Sequence, residues 1–279
     1  GPDNCDMLGA RDVWVFEDQG IYYMHYDAAG TKGWLSSLAT SKDLINWEKK
    51  GPILDFGKPD DDDSKSASYG VTYLDGDQWH MFCLGTPNVS EAPDLVPSFP
   101  YLTLKNVIPF RTKPDTYYSI TASPGQVIRQ DEEYLQFFSA TTYKNTSQYP
   151  QRTLGIARTQ DLNGSWTIDS EPILSIEEQL ENSTIHFEES IDTWFLFTNH
   201  IGIEDGKEFT DAIWVYWSKD LNNWDQKNKA IVLDSVNCSW SKKCIGLPSV
   251  VQVGNQLALF YDAPEDNSTN HMKRHVGLA

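Results

Sequence analysis

The chain has 279 residues, 39% of them hydrophobic, with 10 Trp, 13 Tyr and 12 Phe, and a formal net charge of −18. That length suits one large domain or two small ones, and the bias toward Trp, Tyr, Phe, Val and Ile favours strands over helices. The negative field repels phosphate backbones and anionic lipid, which weighs against nucleic acid and membrane as partners, and no apolar run reaches the length of a membrane span.

In chain order, one pattern recurs five times. It occupies residues 13–28 (VWVFEDQGIYYMHYDA), 70–85 (GVTYLDGDQWHMFCLG), 125–140 (GQVIRQDEEYLQFFSA), 184–200 (TIHFEESIDTWFLFTNH) and 249–263 (SVVQVGNQLALFYDA). Each copy is a short apolar strand, a polar turn and a second strand with alternating aromatics, which is the signal of a β-hairpin. The starts lie about 55–65 residues apart, leaving room for two more strands per unit.

A second motif falls in that space, at residues 41–47 (SKDLINW), 159–166 (TQDLNGSW) and 218–224 (SKDLNNW). Its Asp suits a tight turn, because a short carboxylate bonds nearby backbone N–H groups. Its Leu and Trp are expected to pack between neighbouring sheets. The pattern predicts an all-β fold, a five-bladed β-propeller of four-stranded antiparallel blades. The whole chain, 1–279, is then one domain, with blades at approximately 10–55, 64–113, 117–175, 180–234 and 246–279. Blade 2 lacks the Asp-Leu-x-x-Trp turn and carries a Pro-rich insertion near 87–100, and blade 5 has room for three strands at most. The acidic run 60–63 reads as a loop between blades.

Cys5, Cys83, Cys238 and Cys244 contain no CxxC pair, so no zinc site is expected. Cys238 and Cys244 are spaced to close a small loop. Asn-x-Ser/Thr triplets start at Asn88, Asn145, Asn163, Asn182, Asn237 and Asn267, which permits glycosylation where the host performs it. Together these features point to an exported protein, secreted or periplasmic.

In a propeller the start of strand 1, the end of strand 2 and the start of strand 3 of every blade share one face. The starts of strand 1 offer Arg11-Asp12, Ser68-Tyr69, Ser123-Pro124, Glu181-Asn182-Ser183 and Leu247-Pro248. Only the first and fourth supply a carboxylate. The ends of strand 2 add Asp27, His200 and Asp262, and the starts of strand 3 add Arg152, Asp211 and His271. Trp34 and Tyr69 offer aromatic faces for sugar rings, and Arg274 a further cation. Two carboxylates across a pocket suit glycoside hydrolysis, at about 6.5–9.5 Å for inversion and about 5–5.5 Å for retention. Asp12 is then the base and Glu181 the acid, with a wide gap and inversion expected. Plainer readings stand beside these: an Arg11–Asp12 surface ion pair, a solvated Glu181, hydrogen-bonded His200 and His271, and Asp27 and Asp262 as ordinary strand ends.

Arg11-Asp12 before an apolar strand, the Tyr22-Tyr23-Met24-His25-Tyr26 strand, the Asp-Leu-x-x-Trp turns and Glu181-Asn182-Ser183 resemble the five-bladed glycosidases. These include glycoside hydrolase families 43, 32, 117 and 130. The resemblance implies Asp12 as base or nucleophile, Glu181 as acid, and a third acid that tunes the proton donor. In families 43 and 32 that acid begins the inner strand of blade 3, where residues 118–125 (YSITASPG) hold none. Asp211 or Asp63 is the substitute. The family 117 analogy gives a site His, met by His200 or His271. No cofactor is required, although some family 43 members hold an axial metal ion through a His, and a calcium ion near His271 follows by analogy. The partner expected is an oligo- or polysaccharide. Two alternatives accompany the hydrolase reading: a family 130 type phosphorylase, with Arg152 and Arg274 holding phosphate, and a carbohydrate-binding propeller without catalysis.

Overall fold

The computed structural model describes residues 5–31, 33–59, 61, 63–86, 101–102, 107–108, 112–143 and 149–279. The insertion at 87–100, the triplets at Asn88 and Asn145, and Asp60 and Asp62 of the acidic run lie outside the described residues.

The fold is all-β and propeller-like, with four hydrogen-bonded sheets among the described residues. The first holds β1 (Gly9–Asp18), β2 (Ile21–Gly30), β3 (Gly33–Ser41), β4 (Trp47–Pro52), β5 (Ser66–Asp75), β6 (Gln78–Thr86), β7 (Tyr101–Leu102) and β8 (Val107–Ile108). The second holds β9 (Thr121–Ser123), β10 (Val127–Gln130), β11 (Glu133–Thr142), β12 (Gln151–Thr159) and β13 (Thr167–Ile168). The third is β14 (Leu180–Glu188), β15 (Thr193–Glu204), β16 (Lys207–Ser218) and β17 (Lys229–Asp234). The fourth is β18 (Ser249–Val253), β19 (Gln256–Pro264) and β20 (Arg274–Leu278). Among the described residues, helical structure is confined to two 3-10 turns, Ile176–Glu178 and Glu189–Ile191, and no helix is long and apolar enough to cross a membrane.

All five expected hairpins form, as β1–β2, β5–β6, β10–β11, β14–β15 and β18–β19. The expected count of five four-stranded sheets is corrected to four sheets of eight, five, four and three strands. One parallel pair, Leu35↔Ala67, joins β3 to β5 and fuses the first two units.

Apolar faces of adjacent sheets meet to form the core. Leu135, Phe137, Leu154 and Ile156 of the second sheet pack on Leu180, Ile185, Leu196 and Tyr216 of the third. The Asp-Leu-x-x-Trp turns close these seams, with Leu221 and Trp224 in that cluster and Leu44 and Trp47 between the first and last sheets. The Asp43, Asp161 and Asp220 carboxylates accept N–H bonds two residues on, at 3.0, 2.9 and 2.7 Å. The Trp47 and Trp224 indoles donate back to the Leu44 and Leu221 carbonyls at 2.9 and 2.8 Å. The first and third turns thus satisfy their indoles while burying their leucines, whereas the Trp166 indole Nε1 of the second is buried without a partner.

The Cys5, Cys238 and Cys244 thiols are free of disulfides. Cys238 does not close a loop with Cys244. It contacts the Tyr261 hydroxyl at 3.5 Å, whereas the Cys244 sulfur accepts from Arg274 Nη2 at 2.9 Å.

Candidate active site

Three of the inner strands begin with the same irregularity. In β1 the register slips between Arg11 and Trp14, in β5 between Ser68 and Gly70, and in β14 between Glu181 and Thr184. Each slip contains a non-glycine residue in the left-handed region: Asp12 at φ 51°, Tyr69 at φ 51° and Asn182 at φ 62°. Such a conformation costs on the order of 1–3 kcal/mol and persists only where the surroundings hold it.

The clasp comes from the preceding hairpin. Asp12 N–H donates to Asp262 Oδ1 at 3.0 Å, Asn182 N–H to Ser139 Oγ at 2.7 Å, and Tyr69 N–H to Asp27 Oδ1. Asn199 plays the same part toward the last unit, donating to the Ile245 and Gly246 carbonyls at 3.0 and 2.9 Å. A bulge re-aims the side chains around it. These bulges turn the residues at the strand starts toward one central cavity of about 320 Å³, to which all five hairpin units contribute.

Asp12, Glu181, Arg11, Asp27, Tyr69, His271, Arg274 and Arg152 line this cavity together. Arg11 Nε lies 3.0 Å from Asp12 Oδ2. Arg152 spans two acids, with Nη1 2.6 Å from Glu181 Oε1 and with Nε and Nη2 at 3.2 and 2.9 Å from Glu208 Oε2. Arg274 Nη1 donates to Asp262 at 2.7 Å, with both side chains buried.

Burial raises the Asp12 carboxyl above its ordinary range. Arg11 opposes the shift, and the Asp262 and Glu181 charges add to it. Asp27 is raised well above the usual carboxylate range, first by burial and then by Asp12. The Tyr69 phenol is driven up by burial and by Asp12, Asp27 and Glu181. Its hydroxyl oxygen is buried without a hydrogen-bond partner, in a residue only 5% exposed, and Glu208 Oε1 is in the same condition. Buried polar atoms are normally satisfied, so an orphaned one on a cavity wall points to a ligand.

Several expected residues take other places. Asp262 does not line the cavity; it is buried beneath Asp12 as a clasp, held by Arg274. Asp27 has the same clasping role at Tyr69 and reaches the cavity wall. Trp34 is also absent from the lining, and the Arg11 guanidinium covers its ring at 4.1 Å. His200 and Asp211 face a different cavity and pair with each other at 2.6 Å. The cause is a bulge in β16. Glu208 and Thr210 line the central cavity, but the register slips at Asp211, and Asp211, Ala212 and Trp214 line the other one.

Glu208 is the acid that sequence reasoning missed. The signal was the alternation Phe209, Asp211, Ile213, Val215, which extends the strand back past Asp211. Asp63 sits in the loop before β5, where its carbonyl accepts from Gly57 N–H at 3.3 Å. No three of His, Cys, Asp and Glu converge as a metal site among the described residues. Partial burial, Arg274 and Arg11 lower the His271 imidazole. Two facing guanidinia do not fit a calcium ion, which takes six to eight oxygen ligands.

A larger groove of about 720 Å³ runs along Met7, Leu8, Met24, Trp47, Phe260 and Val276. It is mainly apolar, and its one carboxylate, Asp6, is taken by Lys49. The paired acids are in the smaller cavity.

No protein-family model matches the chain. Among solved structures, a glycoside hydrolase superposes with a TM-score of 0.77 at 15% identity, over 97% of this chain and 86% of that one. An endo-arabinase from Bacteroides thetaiotaomicron VPI-5482 gives 0.68 at 15% identity, over 99% and 95%. A thermostable family-43 glycoside hydrolase gives 0.68 at 14% identity, over 97% and 89%. The chain therefore has the β-propeller fold of these glycoside hydrolases. One curated protein, a 1,2-beta-oligomannan phosphorylase from Thermoanaerobacter sp. (strain X514), is 42% identical over 53 residues, a match spanning 18% of each chain.

Proposed function

We propose that the chain is a glycoside hydrolase that cleaves an oligo- or polysaccharide with inversion, with Asp12 as base and Glu181 as acid. The eight-stranded sheet then counts as two joined blades, giving five around the cavity. The observation that carries this reading is the meeting of Asp12 and Glu181, from the first and fourth units, in one cavity beside the unpartnered Tyr69 hydroxyl.

In the reaction, a water oxygen bonds to the anomeric carbon as its proton passes to Asp12. The bond to the leaving oxygen breaks, and that oxygen takes the proton of Glu181. Burial that raises Asp12 makes it a stronger base. Glu208 takes two of the three Arg152 bonds and so holds the guanidinium in place against Glu181. Glu208 thus supplies the third acid, acting through Arg152. We also take the protein as exported, since the triplets at Asn163, Asn237 and Asn267 are exposed.

The second reading, a phosphorylase, is favoured by the 53-residue match and by three arginines on the cavity wall. Against it, each guanidinium already faces a carboxylate, Arg11 with Asp12, Arg152 with Glu181 and Glu208, and Arg274 with Asp262. Incubation with arabinan, xylan, galactan, fructan and β-1,2-mannan oligosaccharides, with and without phosphate, separates the two. The hydrolase releases free sugar of inverted anomeric configuration in phosphate-free buffer, read by proton NMR. Sugar 1-phosphate formed only with phosphate would replace this reading by the second.

A further inference from the structure

β16 is a partition. Before its bulge at Asp211, Glu208 and Thr210 line the central cavity; from the bulge on, Asp211, Ala212 and Trp214 line a second one of about 570 Å³. Phe209 lines both. The β15–β16 hairpin that carries the partition is the longest in the fold among the described residues, with 12 residues in each strand.

The second cavity is lined mainly by polar and aromatic groups. The His200 ring stacks on Trp214, with centroids 4.2 Å apart and planes 8° from parallel. Lys229 Nζ lies 4.4 Å from the same indole centre, and Asp211 orients the imidazole through Nδ1 at 2.6 Å. The imidazole is thus held in place by its neighbours. Glu204, Asp234, Lys242 and Lys243 lie on the same walls, with Lys243 paired to Glu204 and Lys242 donating to the Cys238 carbonyl. Gly202, opposite Phe209 in the ladder, leaves room for the Asp211 carboxylate, because a Cβ there would stand 2.7 Å from Asp211 Oδ2. Largely paired charges, planar hydrogen-bonding groups and a fixed ring match a neutral saccharide better than an anion or an apolar chain.

We propose that this second cavity is a saccharide subsite, filled by the units of an oligosaccharide that extend over Phe209 from the central cavity. This rests on the hydrolase reading above and deepens it, making the substrate an oligomer gripped on both sides of β16. Phe209 is the crossing point, and His200 with Asp211 holds the distal sugar.

The test uses size-graded oligosaccharides of the five glycans named above. In the wild type, kcat/KM rises about tenfold between the shortest oligosaccharide cleaved and one two units longer, equivalent to about 1.4 kcal/mol. In His200→Ala and in Phe209→Ala the rise is lost, with the change in KM. His200→Gln restores part of it by keeping a planar hydrogen-bonding group. Calorimetric titration of the Asp12→Asn protein with the longer oligosaccharide gives a Kd that weakens about tenfold when His200→Ala is added. Cleavage with the length dependence intact in both variants would overturn the subsite and leave the hydrolase standing. No cleavage and no binding of any of the five glycans would remove both.

Discussion

Glu181 stands in β14 where Arg11 stands in β1. Arg11 pairs with Asp27 and Glu181 with Asn199, each one residue before the left-handed position of its bulge. The repeat partner of Asp12 is therefore Asn182, not Glu181. The two acids enter the cavity from successive steps of one repeated bulge, which gives them different partners: Asp12 its neighbour Arg11, and Glu181 the more distant Arg152.

Tyr69→Phe separates a ligand-binding hydroxyl from a structural one. Removing an unsatisfied buried hydroxyl relieves a cost of about 1–3 kcal/mol, so the melting temperature stays level or rises. If the phenol bonds substrate, kcat/KM falls about tenfold or more. A fall in stability with unchanged kinetics would assign the hydroxyl to the fold.

Asp12→Asn lowers kcat by about 10²–10⁴-fold, the range for a lost general base, and raises thermal stability near neutral pH. The folded Asp12 carboxyl lies above its unfolded value. The folded state thus holds the extra proton, and stability falls as pH rises between the two values. Above that window the ionised carboxylate is a net cost, which the amide removes. A lower melting temperature at pH 7, read by calorimetry, would contradict this.

Glu208→Gln removes the carboxylate that takes two of the three Arg152 bonds, and with it the fixed position of the guanidinium against Glu181. Misplacing a positioned group costs up to about 10²-fold in rate, so kcat falls about ten- to a hundredfold while KM stays near the wild-type value. Glu208→Asp restores part of the loss. An unchanged kcat with a lower melting temperature would make Glu208 a structural anchor only.

Acid weakens the fold through His25. Its ring is buried beneath Phe16 and the β5 backbone, which lowers it to about 4 from 6.5. The unfolded chain takes up a proton as pH falls through 6.5 and the folded one does not, so stability drops between pH 6.5 and about 4, on the order of 3 kcal/mol. The raised Asp12 and Asp27 carboxyls act in the opposite sense. Urea unfolding at pH 7 and pH 4.5 isolates the His25 part: the difference between the two is smaller in His25→Gln than in wild type. An equal difference in both proteins would refute it.

The sequence by itself determined the hairpins and their seams. Alternating aromatics around polar turns, and the three Asp-Leu turns that carry a seam Trp, are local signals, because a strand's period and a turn's hydrogen bonds depend on neighbours in the chain. The same local logic brought Asp12, Glu181, Tyr69, Arg11, Asp27, His271, Arg152 and Arg274 to one cavity. Only the tertiary structure decided which acids share a guanidinium, that Asp262 is a clasp, and that His200 and Asp211 belong to another cavity. Those outcomes hang on register. β16 runs back to Lys207, which brings Glu208 to the centre, and the bulge at Asp211 turns the residues after it to the second cavity, because one extra residue reverses the facing of a pleated strand.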